Sequence, residues 1–140
     1  FVPFMLVPDS VIWEELRRGA VEPRWSAAAR AAASTDFVFL VSTIKSLGET
    51  AVITDGDPAG SLTRFTSTPD DAAQMLVRLH DDAERKFAAE ALAHESFPID
   101  AVQLIGVAND RVRDTVKELL ADSGFTPKVA VYPPWFQPAE

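Results

Sequence analysis

The hydrophobic pattern of this chain switches repeatedly between a helical period and short apolar runs, which is typical of domains that mix helices with strands. Short apolar runs bounded by turn residues predict the strands. These predicted strands are Phe37–Val41, Ala51–Ile53, a segment from Leu62 to Phe65, Ala101–Val107 and Val129–Tyr132. Because Phe37–Val41 is unbroken by polar residues, it predicts a strand covered on both faces. Pro3 interrupts the apolar N-terminus, so residues 1–7 predict an edge strand or an extended arm.

Two helices are predicted in the N-terminal part of the chain. Asp9 or Ser10 is an N-cap for a helix that should stop at Gly19. Pro23 then opens a second helix, which runs through the alanine-rich segment to Ala33. The two segments together predict a helical hairpin.

The strongest helix start lies in the middle of the chain. Thr68 is a good N-cap, and Pro69 occupies the first helical position. An apolar stripe continues from there to about Ala93, which predicts one long central helix, with a break near Asp81 as the alternative.

The last third of the sequence predicts a βαβ unit. Asn109 caps a helix that ends at Gly124, and an apolar run lies on either side of it. Two strands joined by such a crossover lie parallel in one sheet. We therefore expect an α/β fold, with α+β as the alternative, built on a mixed sheet of about five strands.

Length, charge and composition narrow the function classes. The 140 residues suit a single domain, 1–140, in which residues 133–140 form a proline-rich aromatic tail. A formal net charge of −8 disfavours nucleic acid and anionic membranes as partners. The chain has no cysteine and no apolar run long enough to cross a bilayer, so we expect a cytoplasmic protein without disulfides.

Motifs that bind metals or carry catalysis are incomplete in this sequence. Asp55-Gly56-Asp57 lacks the further oxygen ligands of a calcium loop, and turn chemistry explains it. Ser42 and Lys45 match Ser-x-x-Lys, but they follow a strand and the accompanying motifs are missing. There is no glycine-rich phosphate loop. The sequence thus predicts no catalytic residue, no metal ligand and no cofactor, and the prediction leans against an enzyme.

Aromatic residues supply the candidate interaction surface. Two rings stand on a stiff, proline-rich C-terminal segment, and each predicted N-terminal helix carries one tryptophan. The candidate residues are Trp13, Trp25, Tyr132, Trp135 and Phe136. Such residues are enriched at interface hot spots, but the tail rings fit packing on the domain's own core better. The leading hypothesis is a non-enzymatic binding or protein-interaction module that self-associates or binds a protein.

A second hypothesis places a ligand cleft at the carboxyl ends of the strands, where open α/β sheets usually bind small molecules. Ser42, Thr43 and Asn109 would line it. The chain would then be a small-molecule binder or a hydrolase.

Several short segments of the N-terminal half also match one family. They are Glu14-Glu15-Leu16, Ala20-Val21-Glu22-Pro23, the alanine-rich helix, the hydrophobic strand after it, Asp55-Gly56 and Phe65-Thr66-Ser67. Over roughly residues 11–76 the chain thereby resembles the bacterial SseB-like proteins. The resemblance implies an α/β domain of non-enzymatic character, associated by name with serine sensitivity, and transfers no catalytic residue. The sequence departs from that family where the long helix over Asp70–Ala93 replaces the expected strands.

Overall fold

The computed structural model describes residues 1–138 and has a mixed α/β fold. The helices are α1 (Val11–Arg17), α2 (Ala27–Ala31), α3 (Pro69–Asp81) and α4 (Asp110–Leu120). The strands are β1 (Val2–Met5), β2 (Phe39–Val41), β3 (Val52–Ile53), β4 (Glu90–Ala93), β5 (Leu104–Val107) and β6 (Lys128–Val131). The prediction of an α/β fold is confirmed.

The strands form two separate three-stranded sheets instead of one sheet of about five strands. The chain accordingly divides into two compact units, the first made of Phe1–Ile12 and Thr43–Phe97. The second contains Trp13–Ser42 and the chain from Pro98 onward. None of the helices among residues 1–138 is long and apolar enough to cross a membrane.

The first unit is built on the sheet β1-β4-β3, in which both pairs are antiparallel. Its core packs α3 on one face of this sheet, around Ile53, Leu79 and Ala91. Helix α3 begins where the sequence predicts, since the Thr68 hydroxyl accepts a hydrogen bond from the Asp71 N–H. The helix ends at Asp81 because Asp82 turns into an extended conformation.

The prediction that the central helix continues to Ala93 is therefore wrong. A 3-10 turn at Arg85–Phe87 leads into β4, which lies between β1 and β3. Alanine, leucine and glutamate favour helices locally. Here pairing with strands on both sides outweighs that preference, because β4 is buried along its whole length.

The second unit is built on the sheet β2-β5-β6. Strands β5 and β6 are parallel and joined through α4, so the predicted βαβ unit is confirmed. Within residues 1–138, strand β2 pairs only with β5 and lies at the edge of the sheet. Leu40 on it is exposed, so the prediction of a strand covered on both faces is wrong. The second predicted N-terminal helix shortens to α2, capped by the Ser26 hydroxyl instead of opening at Pro23.

Candidate active site

A buried carboxylate stands at the start of the central strand of the first sheet. Glu90 is only 5% exposed, and its neighbours Ala89 and Ala91 belong to the core of the first unit. The Thr54 N–H donates to the Glu90 carbonyl at 2.9 Å. The Glu90 N–H donates to the Thr54 hydroxyl at 3.0 Å, and that hydroxyl donates to the Gly56 carbonyl at 2.7 Å. These bonds fix the backbone from which the carboxylate projects.

The environment of Glu90 disfavours its charged form. Burial raises the pKa of its carboxyl above that of an ordinary glutamate, and the negative charge of Asp57 raises it further. A buried carboxylate with a raised pKa costs stability at neutral pH, and such groups concentrate at functional sites. Glu90 is therefore the strongest catalytic candidate in the first unit.

A second buried carboxylate, Asp55, binds two arginines close to this strand end. Its Oδ1 accepts from the Arg64 N–H at 2.7 Å, and its Oδ2 accepts from the Arg64 Nε at 2.8 Å. Arg85 donates to Oδ2 at 3.2 Å. Burial by itself would raise the pKa of Asp55, but the bonds from Arg64 and the charges of both arginines outweigh it and lower that pKa. Asp55 is thus ionised at neutral pH and holds both guanidinium groups in place.

An open pocket of about 430 Å³ lies beside this cluster. Its lining consists of Asp55, Asp57, Gly60, Ser61, Leu62, Thr63 and Arg85. Asp57 lines the pocket and its negative charge also raises the pKa of Glu90, whereas Glu90 itself is not among the lining residues. The pocket offers the Arg85 cation, which Asp55 holds, together with carboxylate and hydroxyl acceptors.

Turn chemistry accounts for only one of the two aspartates noted in the sequence. The Asp57 Oδ1 accepts from the Ala59 N–H at 2.9 Å, as expected of an aspartate that starts a turn. The Asp55 side chain instead binds the arginines. Residues 1–138 contain no group of three or more metal-binding side chains placed to hold an ion.

Sequence reasoning missed Glu90. Its only local signal is a single carboxylate inside the apolar segment Ala88–Ala93. Such a residue is ordinary on the exposed face of a helix but requires an explanation on a buried strand. Assigning the segment to a helix removed that signal.

The predicted aromatic residues lie in the second unit. The Trp13 Nε1 donates to the Trp135 carbonyl at 2.6 Å, and the rings of Trp13 and Phe136 pack edge to face. Phe136 is buried, and half-exposed Tyr132 contacts the Trp135 ring. Trp25 donates to the Glu15 carboxylate at 3.2 Å. The described part of the tail therefore packs within its own unit, whereas Ala139 and Glu140 lie outside the described residues.

The residues of the predicted ligand cleft each make a hydrogen bond within the fold. The Ser42 hydroxyl donates to the Ala101 carbonyl at 2.7 Å. Thr43 accepts from the Ser46 N–H, and Asn109 accepts from the Val112 N–H as the N-cap of α4. A ligand-binding role for these residues stays a prediction.

Comparisons with known proteins point to one family. The family model of the ssDNA thymidine ADP-ribosyltransferase DarT matches residues 1–137. The fold is similar to that of Thermus sp. 2.9 DarT in complex with ADP-ribosylated ssDNA, with a TM-score of 0.77 and 23% identity. That match covers 96% of this chain and 67% of the Thermus chain. No match was found among curated proteins.

Two further solved structures support the same fold. Thermus sp. 2.9 DarT in complex with NAD+ gives a TM-score of 0.76 at 23% identity, covering 96% of this chain and 71% of that one. Thermosipho africanus DarTG in complex with ADP-ribose gives 0.71 at 15% identity, covering 97% of this chain and 35% of that one.

These findings correct three predictions. The resemblance to SseB-like proteins is wrong, because the matching family model over residues 1–137 is that of DarT. The hypothesis of a non-enzymatic binding or protein-interaction module, with a small-molecule binder or hydrolase as the alternative, is wrong, because the matching family is one of ADP-ribosyltransferases. The exclusion of nucleic acid is wrong because the family acts on ssDNA. Net charge averages over the whole surface and does not report the local arginines beside the pocket.

Proposed function

The chain belongs to the DarT family of ssDNA thymidine ADP-ribosyltransferases, and we propose that it transfers ADP-ribose from NAD+ to thymidine in single-stranded DNA. The match over residues 1–137 is the observation that carries this proposal. The Thermus sp. 2.9 structures with NAD+ and with ADP-ribosylated ssDNA suggest the donor and the product. The proposal places the reaction in the cytoplasm, where NAD+ and DNA are both found.

A carboxylate at the reacting centre would assist the transfer in two ways. The glycosidic bond to nicotinamide breaks and its electron pair leaves with nicotinamide, so positive charge develops on the anomeric carbon of the ribose. An ionised carboxylate stabilises that charge. A bond then forms between the anomeric carbon and thymidine, and the proton that thymidine loses needs a base. Glu90 is our candidate for both roles.

The raised pKa of Glu90 suits a base more than an ordinary glutamate pKa would. Proton transfer is most effective when the pKa of the base lies near the working pH. Burial and Asp57 move the pKa of Glu90 in that direction. The reaction should therefore lose rate as the pH falls through the raised pKa, because protonated Glu90 neither stabilises the cation nor accepts the proton.

The pocket beside Asp55 supplies groups that fit the donor. Its volume of about 430 Å³ lies within the roughly 300–1,000 Å³ of typical small-molecule sites. The Arg85 guanidinium would bind the pyrophosphate, and the hydroxyl and carboxylate groups of the lining would bind ribose hydroxyls. Asp55 would position Arg85 for this contact.

The proposal is tested by incubating the chain with NAD+ and a single-stranded oligonucleotide that contains one thymidine. Intact-mass spectrometry should detect one ADP-ribose on the oligonucleotide, and an equal amount of nicotinamide should be released. An oligonucleotide in which deoxycytidine replaces that thymidine is the matched control and should stay unmodified. Nicotinamide release without any modified DNA would contradict the proposal.

A further inference from the structure

One face of the first sheet places an aromatic ring in line with the candidate catalytic carboxylate. The register pairs Ile53 with Ala91, which brings Thr54 beside Glu90, and an antiparallel bridge pairs Thr54 with Phe65. Residues directly opposite one another in antiparallel strands place their side chains on the same face. Neighbouring strands are separated by 4.7–4.9 Å, so Phe65 lies about 10 Å from Glu90 across this face.

Phe65 is much more exposed than a phenylalanine on a packed sheet. Its side chain is 51% exposed, whereas Ile53 and Ala91 lie in the core against α3. Leu62, three residues before Phe65, is 92% exposed and lines the pocket. Exposed apolar side chains grouped beside a pocket mark a binding surface more often than isolated ones do.

A guanidinium group adds positive charge to this surface. Arg64 stands next to Phe65, and its side chain is 63% exposed although its Nε is held by Asp55. The loop from Leu62 to Phe65 thus presents a leucine, a guanidinium group and an aromatic ring beside the pocket. Single-stranded nucleic acids are bound by this combination, in which aromatic rings stack on bases and cations contact phosphates.

Resting on the proposed function, we propose that the Leu62–Phe65 loop is the surface that receives the DNA strand. Phe65 stacks on a base that flanks the modified thymidine, and Leu62 makes an apolar contact with the strand. Arg64 binds a neighbouring phosphate, with Asp55 fixing its position. The distance of about 10 Å between Phe65 and Glu90 is one that a few nucleotides of one strand cover.

Binding without NAD+ tests this assignment separately from the reaction. A fluorescein-labelled single-stranded oligonucleotide with one central thymidine is titrated with the full chain, and fluorescence anisotropy gives Kd. Phe65→Ala should raise Kd between about 5-fold and 150-fold, the usual effect of losing one base–aromatic stack. Phe65→Trp should bind within about threefold of the wild type, since any aromatic face stacks. Leu62→Ala should also raise Kd.

Leu119→Ala is the matched control for Leu62→Ala, because both leucines are exposed and Leu119 lies on α4 in the other unit. It should leave Kd unchanged. If circular dichroism shows that Phe65→Ala is unfolded, Phe65→Leu replaces it in the titration. Phe65→Leu removes the aromatic face, keeps apolar volume and should raise Kd in the same way.

The outcomes separate this inference from the proposed function. If the wild type binds and modifies the oligonucleotide while Phe65→Ala binds it within about twofold of the wild type, the inference is overturned and the proposed function stands. If light scattering shows that the substitutions change the oligomeric mass while Kd stays constant, the loop is a protein contact and the inference is again overturned. If the wild type neither binds nor modifies the oligonucleotide, the inference and the proposed function are both overturned.

Discussion

The Glu90 N–H donates to the Thr54 hydroxyl at 3.0 Å, while the Thr54 N–H donates to the Glu90 carbonyl at 2.9 Å. A side-chain hydroxyl therefore takes part in the pairing of β4 with the segment after β3. Because Thr54 is fully buried, water cannot replace this contact. One threonine thus helps to hold the backbone from which the candidate catalytic carboxylate projects.

Replacing this threonine should affect stability and activity together. Thr54→Val keeps the shape of the side chain but leaves the buried Glu90 N–H without its acceptor, at a cost of about 1–3 kcal/mol in the free energy of unfolding. We expect the transfer rate to fall as well, because Glu90 loses its anchor. Thr54→Ser retains the hydroxyl and should stay closer to the wild type in urea denaturation and in rate. Equal stability of the valine and serine variants would refute the role given to this hydroxyl.

Neutralising Glu90 should make the protein more stable above the ordinary pKa of glutamate. Its pKa is raised in the folded state, so protonated Glu90 contributes stability that is fully present below the unfolded pKa and lost as the pH rises through the folded pKa. Glu90→Gln removes this loss and should stabilise the chain by roughly 1 kcal/mol at pH 7, with almost no effect near pH 4.

Urea denaturation at both pH values measures that difference. Glu118→Gln is the matched control because Glu118 is exposed on α4, and it should show little effect at either pH. A Glu90→Gln variant that is less stable than the wild type at pH 7 would contradict the account of its pKa.

Asp55→Asn should have the opposite pH dependence. The pKa of Asp55 is lowered in the folded state, so its ionised form contributes stability above the unfolded pKa that is lost as the pH falls through the folded pKa. We expect a loss of about 1–3 kcal/mol at pH 7, since a buried charged hydrogen-bond acceptor is removed. The loss should shrink as the pH falls below the ordinary range of aspartate. Asp122→Asn, at an exposed position, is the control. An equal loss of stability in both variants would contradict the stabilising role given to the contacts of Asp55 with the two arginines.

The second unit contains a close approach between backbone and ring. A Cβ added at Gly106 would lie 2.7 Å and 2.9 Å from two carbons of the Trp135 indole. Gly106→Ala should therefore destabilise the chain by about 1–3 kcal/mol. The same substitution in a Trp135→Leu background should cost less, because the smaller side chain leaves room for the methyl group. Calorimetry of the four proteins checks this, and equal costs in both backgrounds would rule out the steric explanation.

Local signals in the sequence predicted the elements whose start or end is set by nearby residues. Helix α3 begins at Pro69 after the Thr68 cap, and Asn109 caps α4 between two parallel strands, both as predicted. Strand β4 was missed because its segment has helix-forming composition, and the partners that make it a strand lie far away in the chain.

The candidate site was missed for the same reason. Glu90 becomes unusual only when its segment is buried between two other strands, and its one local signal, a single carboxylate in an apolar segment, does not distinguish such a strand from a helix. The net charge of −8 also gives no sign of the two arginines at the site. Arg64 and Arg85 are 21 residues apart in the sequence, and only the fold brings both to Asp55. The fold class could therefore be predicted from the sequence, whereas the candidate catalytic carboxylate and the arginines near it could not.

The rate of ADP-ribose transfer with and without the Glu90 carboxylate tests the central claim most directly. Wild type, Glu90→Gln and Glu118→Gln are compared with NAD+ and the single-thymidine oligonucleotide, and intact-mass spectrometry follows the modified strand over time. We expect Glu90→Gln to lose at least about 100-fold in kcat, because the group that stabilises the cation and accepts the proton is gone, while Glu118→Gln stays at the wild-type rate. A Glu90→Gln variant that transfers ADP-ribose as fast as the wild type would contradict the account.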